Sequence, residues 1–246
     1  MKTMIFTVLL ACVPAVSLAQ QWPTNSVIGM IGASFSECAA PEQSPLAGMG
    51  FSGCSHETLS TALTKNNRII SKKLRVQTTA QGGARSYDLP GTGYRGYVSQ
   101  LNALLARTHW IDGNNRTKFV VTSLMNDCLH TVPCSTADID NVLIESLRQT
   151  ASIASSNGIR LIVTGYPAWK DLDLTIIGAA FQLPNLINQN DYNYLVNRFK
   201  QQVSQIPGVI YLDVWKNNFK TVDGLHPDEA SVKKAADIIA KKITSL

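Results

Sequence analysis

Val27-Ile28-Gly29-Met30-Ile31-Gly32-Ala33-Ser34-Phe35-Ser36 is the stretch on which the fold turns: a short, continuous apolar run that stops at a glycine and delivers a serine. A run of this length with no polar alternation suits a strand buried on both faces. Four more β-rich runs follow at Leu74–Thr79, Lys118–Leu124, Arg160–Thr164 and Val209–Val214. Between them lie segments of helical periodicity. Tyr97, Leu101, Leu104 and Leu105 share one face, as do Ile139, Val142, Leu143 and Leu147, and then Val232, Ala235, Ala236, Ile239 and Ile243. Strands alternating with amphipathic helices predict an α/β fold, a three-layer α/β/α sandwich around a mostly parallel five-stranded sheet.

The 246 residues suit one domain with a sizeable core. Residues 1–19 carry Lys2, an apolar stretch from Met4 to Val13 and a small-x-small ending at Ser17-Leu18-Ala19, which predicts a signal peptide and a mature domain over 20–246. The apolar stretch is shorter than the roughly 20 residues of a spanning helix, so no integral membrane segment is expected. Leu9-Leu10-Ala11-Cys12 is a weaker alternative signal, for a lipid-anchored form. Export places the protein in the periplasm or outside the cell, where disulfides persist. Cys38, Cys54, Cys128 and Cys134 then allow three pairings, of which Cys38–Cys54 and Cys128–Cys134 each close a local loop. No CxxC or HxxxH spacing points to a metal.

The formal charge of +5 falls by one to +4 when Lys2 leaves, and the densest basic pairs, Lys233-Lys234 and Lys241-Lys242, lie in a helical stretch. These read as a solvated helix face rather than a nucleic-acid site. Two stretches break the alternation, Glu37–His56 and Ala168–Asn190, and both are long enough to shape a site. His56 is expected to have a surface or packing role. The Trp169–Phe181 side chains are expected to serve mainly as core, with an apolar wall for an acyl chain as the alternative.

In a doubly wound sheet, ligands sit at the carboxyl ends of the strands. Ser34 follows the first run directly, and a helix starting there would aim free backbone N–H groups at whatever its hydroxyl holds; the plain alternative is a helix cap. Asp223 and His226, in Val222-Asp223-Gly224-Leu225-His226-Pro227, follow the last run and can supply a base and the carboxylate that orients it. Gly82-Gly83 and Asn126-Asp127 follow the second and third runs. Singly these are turn residues. Together a glycine N–H and an amide side chain are what an oxyanion hole requires.

These four segments resemble the blocks of the SGNH hydrolase superfamily, the GDSL-like esterases and lipases. Gly32-Ala33-Ser34-Phe35-Ser36 is similar to its GDSxS block, Thr78-Thr79-Ala80-Gln81-Gly82-Gly83-Ala84-Arg85 to its glycine block, Leu124-Met125-Asn126-Asp127 to GxND, and Asp223-Gly224-Leu225-His226-Pro227 to DxxHP. The resemblance implies a flavodoxin-like SGNH fold and no cofactor. It implies a triad of Ser34, Asp223 and His226, with an oxyanion hole formed by Ser34, Gly83 and Asn126 and with Gly82 as the fallback for Gly83. The expected substrate is a carboxylic ester, a glycan-linked acetyl group, a lipid acyl group or a small ester, handled by a monomer. Acyl transfer to a sugar hydroxyl, and a non-catalytic binding protein on the same scaffold, are the alternatives. The chain departs from the pattern at Ala33, where the family usually has Asp, and at Leu124, where it usually has Gly. Ala33 implies a different hydrogen-bond arrangement around the first block, and Leu124 leaves the placement of Asn126 open.

Overall fold

The computed structural model describes residues 26–42, 57–108, 116–129, 134–181, 186–217 and 219–246. The signal sequence, Cys12, Cys54 and His56 lie outside the described residues.

All five expected strands form: β1 (Val27–Ile31), β2 (Arg75–Thr78), β3 (Thr117–Thr122), β4 (Arg160–Thr164) and β5 (Val209–Leu212). They make one sheet in the order β2-β1-β3-β4-β5, with every pairing parallel. This is the flavodoxin-like order, whose direction of winding reverses between β1 and β3. β1 is buried along its whole length, whereas the outer strands β2 and β5 are mostly half-buried. Its Ile28, Met30 and Ile31 are fully enclosed, each contributing about 1.5–3 kcal/mol of apolar transfer free energy.

The helices are α1 (Leu59–Thr64), α2 (Asn67–Ser71), α3 (Tyr97–Thr108), α4 (Glu145–Ser156), α5 (Leu174–Phe181), α6 (Gln189–Val203) and α7 (Glu229–Thr244). α1, α2 and α7 pack together on one face of the sheet; α3, α4 and α6, joined by the segment leading into α4, form the layer on the other. α7 has the stripe expected of it, with Val232, Ala235, Ala236, Ile239 and Ile243 all buried. Asp228 caps its first turn by accepting the Ser231 N–H at 2.8 Å, and Lys241 and Lys242 sit at its C-terminal end, where the helix dipole favours cations. Lys233, Lys234 and Lys241 are exposed, and Lys233 pairs with Glu229 on the same solvent side.

The helix entering α4 departs from the expected period. Asp138–Ile144 is a π-helical stretch that runs straight into α4. Its i→i+5 bonding accompanies an inner face made of Ile139, Leu143 and Ile144, with Leu147 following in α4 and Val142 left half-buried. No helix among the described residues is long and apolar enough to cross a membrane.

Candidate active site

The first block leaves the sheet through Gly32, whose φ of +124° is one that only glycine adopts easily. A side chain there is also excluded by space, because a Cβ would lie 2.5 Å from Ser123 Oγ. Two side chains hold the emerging backbone. Gly32 N–H donates to Gln100 Oε1 at 2.7 Å, and Ala33 N–H donates to Ser123 Oγ at 3.3 Å. Beyond them the chain makes a turn, with the N–H groups of Ser36 and Glu37 both donating to the Ala33 carbonyl. The helix expected from Ser34 onward is therefore only this turn, and Ser34 caps nothing. Its side chain is 8% exposed, and neither its hydroxyl nor its N–H has a hydrogen-bond partner among the described residues.

The second block is stitched to the first. Gln81 N–H donates to the Gly32 carbonyl at 3.1 Å, and Gly82 N–H to the Ala39 carbonyl at 3.0 Å. Gly82 packs so tightly that a Cβ would fall 2.0 Å from the Cys38 carbonyl oxygen. The Gly82 N–H, of the residue expected as the fallback for Gly83, is thereby engaged. Gly83 N–H is left without a partner among the described residues.

Asn126 is buried and doubly fixed on the residue after Gly83: its backbone N–H and its Nδ2 both donate to the Ala84 carbonyl, at 3.0 and 3.1 Å. One Nδ2 hydrogen remains for a ligand. Leu124, where the resembled pattern has glycine, is 1% exposed and belongs to the core. Asp127 ties the same two loops from behind. Its carboxylate accepts the Ser86 N–H at 2.9 Å and the Ser86 hydroxyl at 2.5 Å. Burial raises the Asp127 carboxyl above its usual range, against the opposing pull of those Ser86 bonds and the Arg85 charge.

One residue further on, Cys128 is bonded to Cys134, with Cα atoms 5.3 Å apart. The other expected bridge has one end in view, for Cys38 is disulfide-bonded, while Cys54 lies outside the described residues.

The fourth block closes on itself as a loop, pinned by Val222 N–H donating to the His226 carbonyl at 2.9 Å. Within it Asp223 Oδ1 accepts the N–H groups of Leu225 and His226, at 3.1 and 2.7 Å, and Oδ2 faces His226 Nδ1 at 2.6 Å. Burial alone would raise the Asp223 carboxyl; the His226 ring and the two backbone donors outweigh it and bring it down to about 2. Asp173 N–H donates to the Gly224 carbonyl at 2.8 Å, which ties the long stretch before α5 to this loop.

The first and fourth blocks meet through Phe35, whose ring centroid is 6.2 Å from that of His226 and 5.3 Å from that of Trp215. Ser34 thus directly precedes the side chain that meets His226, and no hydrogen bond joins Ser34 to His226 among the described residues. Gln100, Ser123 and Ser86 were not singled out from the sequence. Gln100 had a signal: it is a polar residue on the apolar face that Tyr97, Leu101 and Leu104 define. No group of three or more His, Cys, Asp or Glu among the described residues is placed to hold a metal.

No family model and no curated protein sequence matches the chain. Solved structures do. A carbohydrate acetylesterase from Sinorhizobium meliloti, Est24, superposes with a TM-score of 0.62 at 14% identity over 90% of this chain and 99% of that one. The native aryl esterase of M. smegmatis gives 0.61 at 19% identity over the same shares, 90% and 99%. An acetyl xylan esterase, AlAXEase, gives 0.57 at 13% identity over 88% and 99%. At these identities the likeness establishes a shared three-layer α/β/α fold, one that esterases use.

Proposed function

We propose that the chain is a serine esterase of the SGNH type, in which Ser34 is the nucleophile, His226 the base, Asp223 its orienting carboxylate, and Ser34 N–H, Gly83 N–H and the Asn126 amide the oxyanion donors. The observation that carries this is the Asp223–His226 pair at 2.6 Å, whose imidazole lies 6.2 Å, centroid to centroid, from the ring of Phe35, the residue directly after Ser34.

Asp223 Oδ2 holds the proton on Nδ1, which leaves Nε2 as the basic nitrogen. Nε2 takes the Ser34 hydroxyl proton as Oγ adds to the ester carbonyl, and the three donors meet the charge that forms on the carbonyl oxygen. Collapse breaks the ester C–O bond, His226 returns the proton to the leaving alcohol, and the acyl group stays on Ser34. Water, deprotonated by the same nitrogen, then releases the acid and restores the hydroxyl. Two of the three donors are backbone N–H groups that bond nothing among the described residues, in loops that engage the neighbouring N–H groups of Ala33, Gly82 and Ala84.

The structural neighbours named as carbohydrate acetylesterases, an aryl esterase and an acetyl xylan esterase favour short acyl esters, above all acetyl groups on carbohydrate hydroxyls. Export agrees with the Cys128–Cys134 disulfide, since such bonds persist in oxidising compartments. The test is hydrolysis of p-nitrophenyl esters from acetyl to palmitoyl, and of acetylated glycans, by wild type and Ser34→Ala. The variant is expected to keep the fold and lose turnover; unchanged hydrolysis would overturn the assignment.

A further inference from the structure

We infer that Gln100 is a positioning residue of this site, whose side-chain amide fixes the Gly32 peptide and so sets how the chain presents Ser34 to Gly83. The inference rests on the proposed role of Ser34.

Gln100 lies in the first turn of α3 and is completely buried. A buried amide is costly unless its donors and its acceptor find partners. All of them do. Oε1 accepts the Gly32 N–H at 2.7 Å, and Nε2 donates to the Gly32 carbonyl at 3.1 Å and to the Arg95 carbonyl at 2.7 Å. The amide thus pairs with the Gly32 peptide as a neighbouring strand would, just where β1 has ended.

The partners form a closed ring. Gly32 N–H meets Gln100, Gln100 meets the Arg95 carbonyl, Arg95 N–H meets Gln81 Oε1 at 2.7 Å, and Gln81 N–H returns to the Gly32 carbonyl at 3.1 Å. Ser34 follows Gly32 by two residues, and Gly83 follows Gln81 by two. One ring of hydrogen bonds therefore sets the base of both loops, and so the spacing between the nucleophile and the Gly83 N–H. Held backbone also stops at the nucleophile: Gly32 and Ala33 have their N–H groups fixed by side chains, and that of Ser34 is open. Ala33 cannot brace this turn through its own side chain, and helix α3 supplies the brace from outside the block.

The test uses Gln100→Glu and Gln100→Met, two substitutions of similar size, with p-nitrophenyl acetate as substrate. In Gln100→Glu an oxygen replaces the NH2 group and faces the Gly32 and Arg95 carbonyls. With that side chain ionised, at about pH 8, kcat is expected to fall roughly a hundredfold with KM within about threefold, because a small misplacement of reacting groups costs that much. Protonation returns one donor to the ring. The ratio of Gln100→Glu to wild-type kcat should therefore recover by about tenfold toward pH 5, whereas that of Gln100→Met stays low and flat. Rates are normalised to the natively folded fraction, measured by near-ultraviolet circular dichroism. If Gln100→Met does not fold, the pH-dependent ratio of Gln100→Glu decides alone. Normalised kcat values within about threefold of wild type, or a loss confined to KM, would overturn the inference. Ser34→Ala runs in parallel. If it is inactive while the Gln100 variants match wild type, the Gln100 inference alone falls; if it remains active, the esterase reading falls first.

Discussion

Changing Asp223 to asparagine replaces one carboxylate oxygen by an NH2 group, and the surrounding backbone decides which one. Oδ1 accepts two N–H groups, from Leu225 and His226, and Oδ2 faces the imidazole. An NH2 group cannot take the Oδ1 place, where it would meet two donors, so it must face Nδ1. The imidazole then accepts at Nδ1 and carries its proton on Nε2, pointed at the serine it should deprotonate. A tautomer inverted in this way costs a serine hydrolase about 10⁴ in kcat, or about 5.4 kcal/mol of transition-state stabilisation.

The fold should barely notice, since both backbone bonds survive and only the charge on the third is lost, a change of about 2 kcal/mol or less. Burst and steady-state kinetics on p-nitrophenyl acetate, with urea unfolding beside them, separate the two effects. A folded Asp223→Asn protein with kcat within about tenfold of wild type would refute the tautomer argument. An acid-stability series adds a check. The Asp223 carboxyl sits at about 2 against an ordinary 3.8, so its contribution to stability is present above about pH 4 and is lost as pH falls through about 2. Asp223→Asn should lack that loss.

Asn126→Ala should lower kcat by about 10²–10³ with little change in KM, the usual effect of losing one oxyanion donor. The Ala84 carbonyl keeps the backbone N–H of residue 126 at 3.0 Å, so a large fall in Tm with unaltered kcat would assign Asn126 to scaffolding instead. Asp127 works in the opposite pH sense from Asp223. Burial raises its carboxyl above the ordinary 3.8, so the folded state favours the protonated form, and its contribution is fully present below about pH 4 and declines as pH rises. Urea midpoints of wild type relative to Asp127→Asn should therefore fall from acid to neutral pH; a flat or rising difference would show that the carboxyl ionises without cost.

The fold was legible because each strand is a local event. Val27–Ile31 and its four counterparts are short apolar or β-rich runs bounded by turns, and the observed ends fall within two residues of those expected. The misses have nonlocal causes. The helix expected after Ser34 does not form, because Gly32 and Ala33 are held by Gln100 and Ser123, 68 and 90 residues away. The bond from Ser86 to Asp127 spans 41 residues and joins two loops that only the sheet order brings together. The candidate site divides the same way. Asp223 and His226 could be paired from sequence because they lie three positions apart in one loop. That the Ala39 carbonyl takes the Gly82 N–H and not that of Gly83 could be seen only in the structure, because it depends on how two loops distant in sequence meet.

The groups proposed to stabilise the developing charge are two backbone N–H groups and a carboxamide, and none of the three ionises in water. Such a hole has the same strength in acid as in mild alkali, and it draws no counterion that added salt could displace. On the proposed reading, the titratable members of the catalytic machinery besides the nucleophile, Asp223 and His226, share one short loop, the five residues from Asp223 to Pro227, and a change to that loop can retune the pH response of the chemistry without rebuilding the rest of the site.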